Sequence, residues 1–434
     1  MEIEEMRDIK AIFDQQKNNF YSMDNSLAAR IERLKILKKA IFNHEQAILE
    51  ALAEDLGKSE SFARSTEIDR VVAEIDFAVN NLEIWMEPEP ISLSEELPSK
   101  SCFINREPFG VVYVIGPFNY PLNLTLIPVV GALAAGNTVF VKPANSTPET
   151  AKVIEKIINN NFPEEIAYCV RGDRSVGAQL QELPFDLIFF TGSPNVGSQI
   201  MQSAAKSLTP VILELGGKSP AIILEDANLD KAIERITKGK LANSGQTCVA
   251  PDYVYVDKKI SEQVINRFVA EFSKYSELGV IGKLVTSSKV EELANMVNAV
   301  PEKLIFGGKY DTQKRYFQPT ILKDVNWQDE IMKDEIFGPV LPILTFNSEN
   351  EIAKTINQYH PNPLGVYVFS EKIDKAEELV NQIPAGDAEI NDAYKHVTSL
   401  DIPFGGKGKS GMGEYHGKFS FEAFTHRKSV RIAN

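Results

Sequence analysis

The chain has 434 residues with 46 basic and 60 acidic side chains, a net charge of −14 and a pI near 5.1. That negative balance opposes phosphate backbones and anionic bilayer surfaces, so neither nucleic acid nor a lipid surface is an expected partner. Hydrophobic residues make up 43% of the chain, enough core material for two or three domains. Three cysteines, at 102, 169 and 248, are too few and too odd in number for a disulfide framework. The acidic start MEIEEMRDIK lacks the basic and apolar regions of a secretory signal. The expected compartment is therefore reducing cytoplasm.

From Ser26 to Leu56 the apolar residues Leu27, Ile31, Leu34, Ile41, Ile48 and Leu52 recur at helical spacing, with Gly57 placed as a C-cap. This predicts an amphipathic helical opening. A second helix is predicted over Thr66 to Trp85, and the turn-rich PEPISLSEELPSK after it marks a boundary. From Gly110 short β-rich runs alternate with helical ones: VVYVIGP with LTLIPVVGALAAG, TVFVKP with TPETAKVIEKIINN, AYCVRG with VGAQLQEL, and DLIFFTGS with VGSQIMQSAAKS. Strand-then-helix units in succession predict a doubly wound α/β domain with a parallel sheet. The most apolar run, TLIPVVGALAAG, is about half of what a bilayer crossing needs.

The alternation resumes with VILEL, PAIILED, DYVYVD and SEQVINRFVAEFSKY, then PVLPILTF, ENEIAKTINQY and GVYVFS, which predicts a second α/β domain beginning near Pro210. The closing SVRIAN reads as a short strand. No hydrophobic tail follows it, so a membrane anchor is not expected.

Gly406-x-Gly408-x-x-Gly411 matches a dinucleotide fingerprint by letter, yet it lies in a glycine-rich loop near the chain end without the required strand and helix. GKS at 408–410 fails as a phosphate loop because Pro403 occupies the earlier glycine position. DLIFFTGS is the better cofactor candidate. Gly192 and Ser193 stand at a strand's carboxyl end, before a helix start that can donate N–H groups to pyrophosphate. His44, His360, His396, His416 and His426 show no metal-ligand spacing, and no metal site is expected.

Cys169 sits among apolar neighbours, as a structural cysteine does. Cys248, in LANSGQTCVAP, sits among small polar ones. Glu214, in VILELGGKSP, is an acid at the end of an apolar strand, and Asn119, in IGPFNYP, is an amide between prolines. Each alone reads as structural, because buried polar side chains commonly satisfy backbone. Together they offer a nucleophile, a base and an oxyanion donor.

The ordered set IGPFNYP, VFVKP, FFTGSPNVG, LELGGKSP, NSGQTC, EIFGPVLP and PFGGKGKSGMG resembles the aldehyde dehydrogenase superfamily. DLGKS, CVAPDYV, EIFGPVLPIL, IND with His396, and YHGKFSF are most similar to its class 3 branch, the fatty and aromatic aldehyde dehydrogenases. The resemblance implies NAD(P)-dependent oxidation of a medium-chain or aromatic aldehyde to the acid. Cys248 would form the thiohemiacetal and thioester, Asn119 would hold the oxyanion, and Glu214 would activate water. It assigns Lys142 and Asn145 to the adenosine ribose and Gly192 and Ser193 to the pyrophosphate turn. Glu335 and Phe337 go to the nicotinamide ribose, and Phe118, Val196 and Leu215 also line the cofactor site.

Tyr120 and Phe404 would line an apolar substrate tunnel. Many NAD-preferring relatives carry glutamate where this chain has Asn145, and an amide does not repel a 2′-phosphate. NAD is therefore the first expectation and NADP a possible alternative. The implied domains are 1–91 with 107–209 for the cofactor and 210–390 for catalysis, with 92–106 and 391–434 as bridging and oligomerisation segments in a homodimer. A CoA-acylating dehydrogenase and a catalytically silent cofactor-binding protein are the competing readings.

Overall fold

Along Val111–Ile115, Val112 and Val114 enter one hydrophobic core while Val111 and Tyr113 enter another, the alternation of a strand covered on both faces. The computed structural model describes residues 2–93, 100–279 and 281–433, and two sheets of this kind organise it. In the first, the strands Ala167–Cys169, Thr138–Lys142, Val111–Ile115, Leu187–Gly192 and Val211–Leu215 lie parallel in that order. Gly411–Met412 closes the far edge antiparallel. The direction of winding reverses between Val111–Ile115 and Leu187–Gly192. A crevice therefore opens at their carboxyl ends, where open α/β sheets take ligands.

VILEL was expected to begin the second domain near Pro210, and the structure corrects this. The helix Pro194–Ala204 crosses over and returns the chain beside Leu187–Gly192, so Val211–Leu215 completes the first sheet. The chain leaves for the second sheet only at Gly216 and Gly217. That sheet runs Leu304–Phe306, Thr320–Leu322, Val340–Phe346, Tyr253–Asp257, Pro220–Ile223, Gly365–Phe369 and Asp387–Ile390. It is parallel except for Leu304–Phe306.

The helical opening is broken at His44 into Leu27–Asn43 and Glu45–Leu56, with Gly57 in the left-handed region (φ 64°) as the C-cap. A further helix, Glu2–Phe20, precedes them. The second expected helix starts earlier than Thr66 and contains a wide turn: Glu60–Ala63, then a π-helical Arg64–Ile68, then Asp69–Trp85. The apolar run forms the helix Asn123–Ala135, buried on every side after Asn123, which explains its lack of a polar face. Among the described residues no helix is long and apolar enough to cross a membrane. Ser101–Pro108 pairs antiparallel with Thr425–Ile432. Residues 94–99 of the expected boundary segment, and Asn434, lie outside the described residues.

The glycines of PFGGKGKSGMG serve packing. Gly411 pairs with Glu214 across the sheet edge, and a Cβ there would overlap the Leu213 carbonyl. Leu215 N donates to the Ser410 carbonyl at 3.0 Å.

Candidate active site

The polar neighbours of Cys248 fold its loop. Asn243, Ser244 and Gly245 all have positive φ (50°, 59° and 77°), a conformation L-residues rarely adopt. Side chains hold it there. Asn243 Nδ2 donates to the carbonyls of Asn119 (2.8 Å) and Gln246 (3.1 Å), and Gln246 Nε2 donates to those of Asn243 and Lys283 (3.1 Å each). Val285 N donates to Gln246 Oε1 at 2.8 Å. A side chain on Gly245 would collide with the Gly338 carbonyl.

Cys248 is partly exposed, and it borders two cavities. The first, of about 550 Å³, lies at the carboxyl ends of the first sheet. Asn119, Glu214 and Cys248 line it together, as do Phe118, Gly192, Ser193, Val196, Leu215, Glu335 and Phe337. Groups far apart in the chain thus converge on one space. Lys142 and Asn145 stand apart from this wall. Lys142 Nζ donates to Asn145 Oδ1 at 2.9 Å, and Asn145 lines a side hollow of about 170 Å³ that shares Ala144 with the main cavity. The second cavity at Cys248, about 200 Å³, is bordered by Tyr120 and Phe404.

The first cavity suits a dinucleotide. Its volume is in the range of small-molecule sites, and Ser193 caps the helix Pro194–Ala204, whose N-terminal N–H groups favour an anion. Thr191 Oγ1 and Glu214 Oε1 are buried there without hydrogen-bond partners, which a polar ligand or water would supply. The glycine after Leu215 has its explanation too: a Cβ on Gly216 would overlap Glu335 Oε2, so the missing side chain admits that carboxylate. Phe118 meets Phe337 edge to face at 5.6 Å.

Burial dominates the electrostatics. It raises Glu214 to about 8, with the Cys248 thiol pulling the other way and Asp387 adding to the rise. It also drives the Cys248 thiol well above its ordinary value, reinforced by Glu214 and Glu335. Glu335 is pushed up by burial and by Asp252 and Glu214. Both groups of the thiol–carboxyl pair are therefore mostly protonated at neutral pH.

Sequence reasoning missed the supports of these groups. Lys58, in DLGKS, forms a buried ion pair with Glu67 (2.5 Å) and donates to the Asn119 carbonyl at 2.9 Å. Glu67 accepts from Leu122 N (3.1 Å) and Asn123 N (2.8 Å), capping the apolar helix from the π-helical turn. Tyr120 Oη is 3.0 Å from Thr247 Oγ1 and 3.1 Å from Tyr394 Oη, and Lys58 Nζ lies 4.1 Å from the centre of the Tyr120 ring. On the other side Lys218 donates to Asp252 (2.5 Å) and to the carbonyls of Ile331 and Asp334 (2.8 Å each). Asp252 accepts from Ile336 N at 3.2 Å, which pins the segment bearing Glu335. The usable signal was a charged residue beside an apolar strand, as at Lys218 before SPAIIL; Glu67, in RSTEIDR, carried no such mark.

A doubly wound sheet with a crevice at its switch point defines a nucleotide-binding α/β protein, and a thiol, a carboxyl and an amide share the wall of that crevice. The model of the aldehyde dehydrogenase family matches residues 3–430. The chain is 41% identical to the 4,4'-diaponeurosporen-aldehyde dehydrogenase of Staphylococcus aureus over 97% of its own length and 92% of that protein's. It is 39% identical to the mouse "aldehyde dehydrogenase, dimeric NADP-preferring" over 98% and 95% of the two chains. A solved structure of the substrate-bound state of Staphylococcus aureus AldH superposes with a TM-score of 0.95 at 40% identity, covering 98% of this chain and 94% of that one. The chain belongs to the aldehyde dehydrogenase family, whose members oxidise aldehydes with NAD or NADP.

Proposed function

We propose that Cys248 is the nucleophile of an NAD(P)-dependent oxidation of aliphatic or aromatic aldehydes to acids. The observation that carries this reading is the position of Cys248 between a dinucleotide-sized cavity and a separate funnel, with Glu214 and Asn119 on the same wall. Glu214 takes the thiol proton, the sulfur attacks the carbonyl carbon, and Asn119 with the Cys248 N–H meets the oxygen that gains charge. The chemistry NAD(P) supplies when bound is hydride acceptance, which converts the Cys248 thiohemiacetal into a thioester. Glu214 gives up the thiol proton to solvent and then draws one from water, whose oxygen attacks the thioester carbon; the C–S bond breaks, the acid leaves, and the Cys248 sulfur recovers the proton from Glu214.

Ser193 and the helix behind it would hold the pyrophosphate, and Glu335 the nicotinamide ribose. Lys142 and Asn145 would face the adenosine ribose, with no carboxylate at 145 to reject a 2′-phosphate. Tyr120 and Phe404 would wall the aldehyde. The position of Thr425–Ile432 at the edge of its sheet among the described residues and the mouse relative's description as dimeric support a homodimer. The cytoplasm is the proposed compartment, on the three free cysteines.

The test is NAD(P)H formation from an aldehyde by purified protein, with free acid as product. Cys248→Ala should abolish it. Undiminished turnover in that variant, or a CoA thioester as the product when CoA is added, defeats the assignment.

A further inference from the structure

A cavity larger than either of those bordering Cys248 does not touch that residue. It encloses about 780 Å³ and meets the Cys248 funnel at Ser65, Arg70, Tyr394 and Thr398, which border both spaces. Its charged lining is of one sign, Lys58, Arg70, Arg235, Lys238 and Lys395, in a chain whose net charge is −14. Three carboxylates pair with members of this set. Glu67 binds Lys58 (2.5 Å), Glu234 binds Lys238 (2.5 Å), and Asp392 serves both Arg235 (3.3 Å) and Lys395 (3.4 Å). Five cations against three carboxylates leave an excess of two positive charges.

Arg70 is the member without a carboxylate in ion-pair range among the described residues. Its Nη1 donates to the Thr398 carbonyl at 3.1 Å, and a guanidinium fork has further N–H donors to offer. The funnel it adjoins is walled largely by apolar side chains, among them Leu124, Ile127, Val249, Leu400 and Phe404. A neutral aldehyde satisfies that wall and Cys248 but gives Arg70 nothing. An anion on the far end of the molecule satisfies all three.

We propose, on the basis of the aldehyde-oxidising reading above, that the preferred substrate is an aldehyde with an apolar spacer and a terminal carboxylate, and that Arg70 receives that carboxylate at the junction of funnel and vestibule. A planar guanidinium matches a carboxylate through paired N–H donors. The surplus of positive charge in a protein-walled space also raises the local concentration of anions, an effect that salt weakens. Because the product acid is also an anion, the same cations could instead speed its departure. The two roles separate kinetically: holding the substrate's tail discriminates between substrates, whereas product release does not.

The experiment compares two aldehydes of equal chain length, one ending in a carboxylate and one in its methyl ester, using wild type, Arg70→Met and Arg70→Lys. The ratio of kcat/KM for acid over ester should fall by about tenfold or more in Arg70→Met, with the change in KM, as expected for a lost charge-assisted contact. Arg70→Lys should retain part of the ratio, and the wild-type ratio should shrink as ionic strength rises. Equal ratios in wild type and Arg70→Met overturn the proposal. So does an equal drop in kcat for both aldehydes, which assigns Arg70 to product release. Turnover of neither aldehyde by the wild type overturns aldehyde oxidation itself and this inference with it.

Discussion

On the substrate side of Cys248 a single buried lysine, Lys58, faces a single buried carboxylate, Glu67; on the cofactor side Asp252 faces two lysines, Lys218 and Lys240. Both clusters pin a loop, one carrying Asn119 and the other Glu335. In the first pair burial lowers Lys58 and raises Glu67 despite their mutual attraction. In the second, burial also pushes Asp252 upward, but Lys218 and Lys240 overcome it and hold its pKa below the ordinary value. Burial brings Lys240 itself down to about 8. The charge of a buried carboxylate is thus decided by how many cations and N–H donors surround it.

The largest expected effect lies between the two clusters. Cys248→Ala should lower turnover by several powers of ten, about 10⁴-fold or more, read as NAD(P)H formation. Next, Asp252→Asn leaves two buried lysines without their counter-charge and should cost about 3–5 kcal/mol in denaturant unfolding. It should also raise KM for NAD(P), as the Glu335 segment loosens. Asn119→Ala should reduce kcat by about 10²–10³, or 2.7–4 kcal/mol of barrier, with little change in stability.

Glu67→Gln should cost less than Asp252→Asn, about 1–2 kcal/mol, because it strands one buried lysine rather than two and the amide oxygen can still accept from Leu122 N and Asn123 N. Equal losses in the two variants would break the contrast between the clusters. The last expected effect is a pH slope. Glu214 titrates at about 8 in the folded protein against an ordinary 4.5, so between those values the folded state keeps a proton that the unfolded chain has released. Stability from this group is therefore lost as pH rises from 4.5 to 8. Glu214→Gln should melt higher than wild type at pH 9 and no higher at pH 4. Below pH 8 the wild-type rate should rise by about a factor of ten per pH unit, as the base ionises.

What the sequence determined by itself was local and periodic. Alternating apolar residues specified parallel strands such as Val111–Ile115, and Ser193 before a proline specified a helix start. A cysteine among residues able to hold a left-handed turn marked its own loop. Tertiary structure alone decided the rest. It assigned Val211–Leu215 to the first sheet, and it chose Lys58 and Glu67 as the clamp on Asn119. It also turned Arg70, one more charged residue on an amphipathic helix, into the wall between two cavities. The reason is physical: spacing along a chain encodes which face a residue presents, whereas what a buried charge holds is set by how elements meet, Lys58 lying 61 positions from Asn119 and Lys218 34 from Asp252.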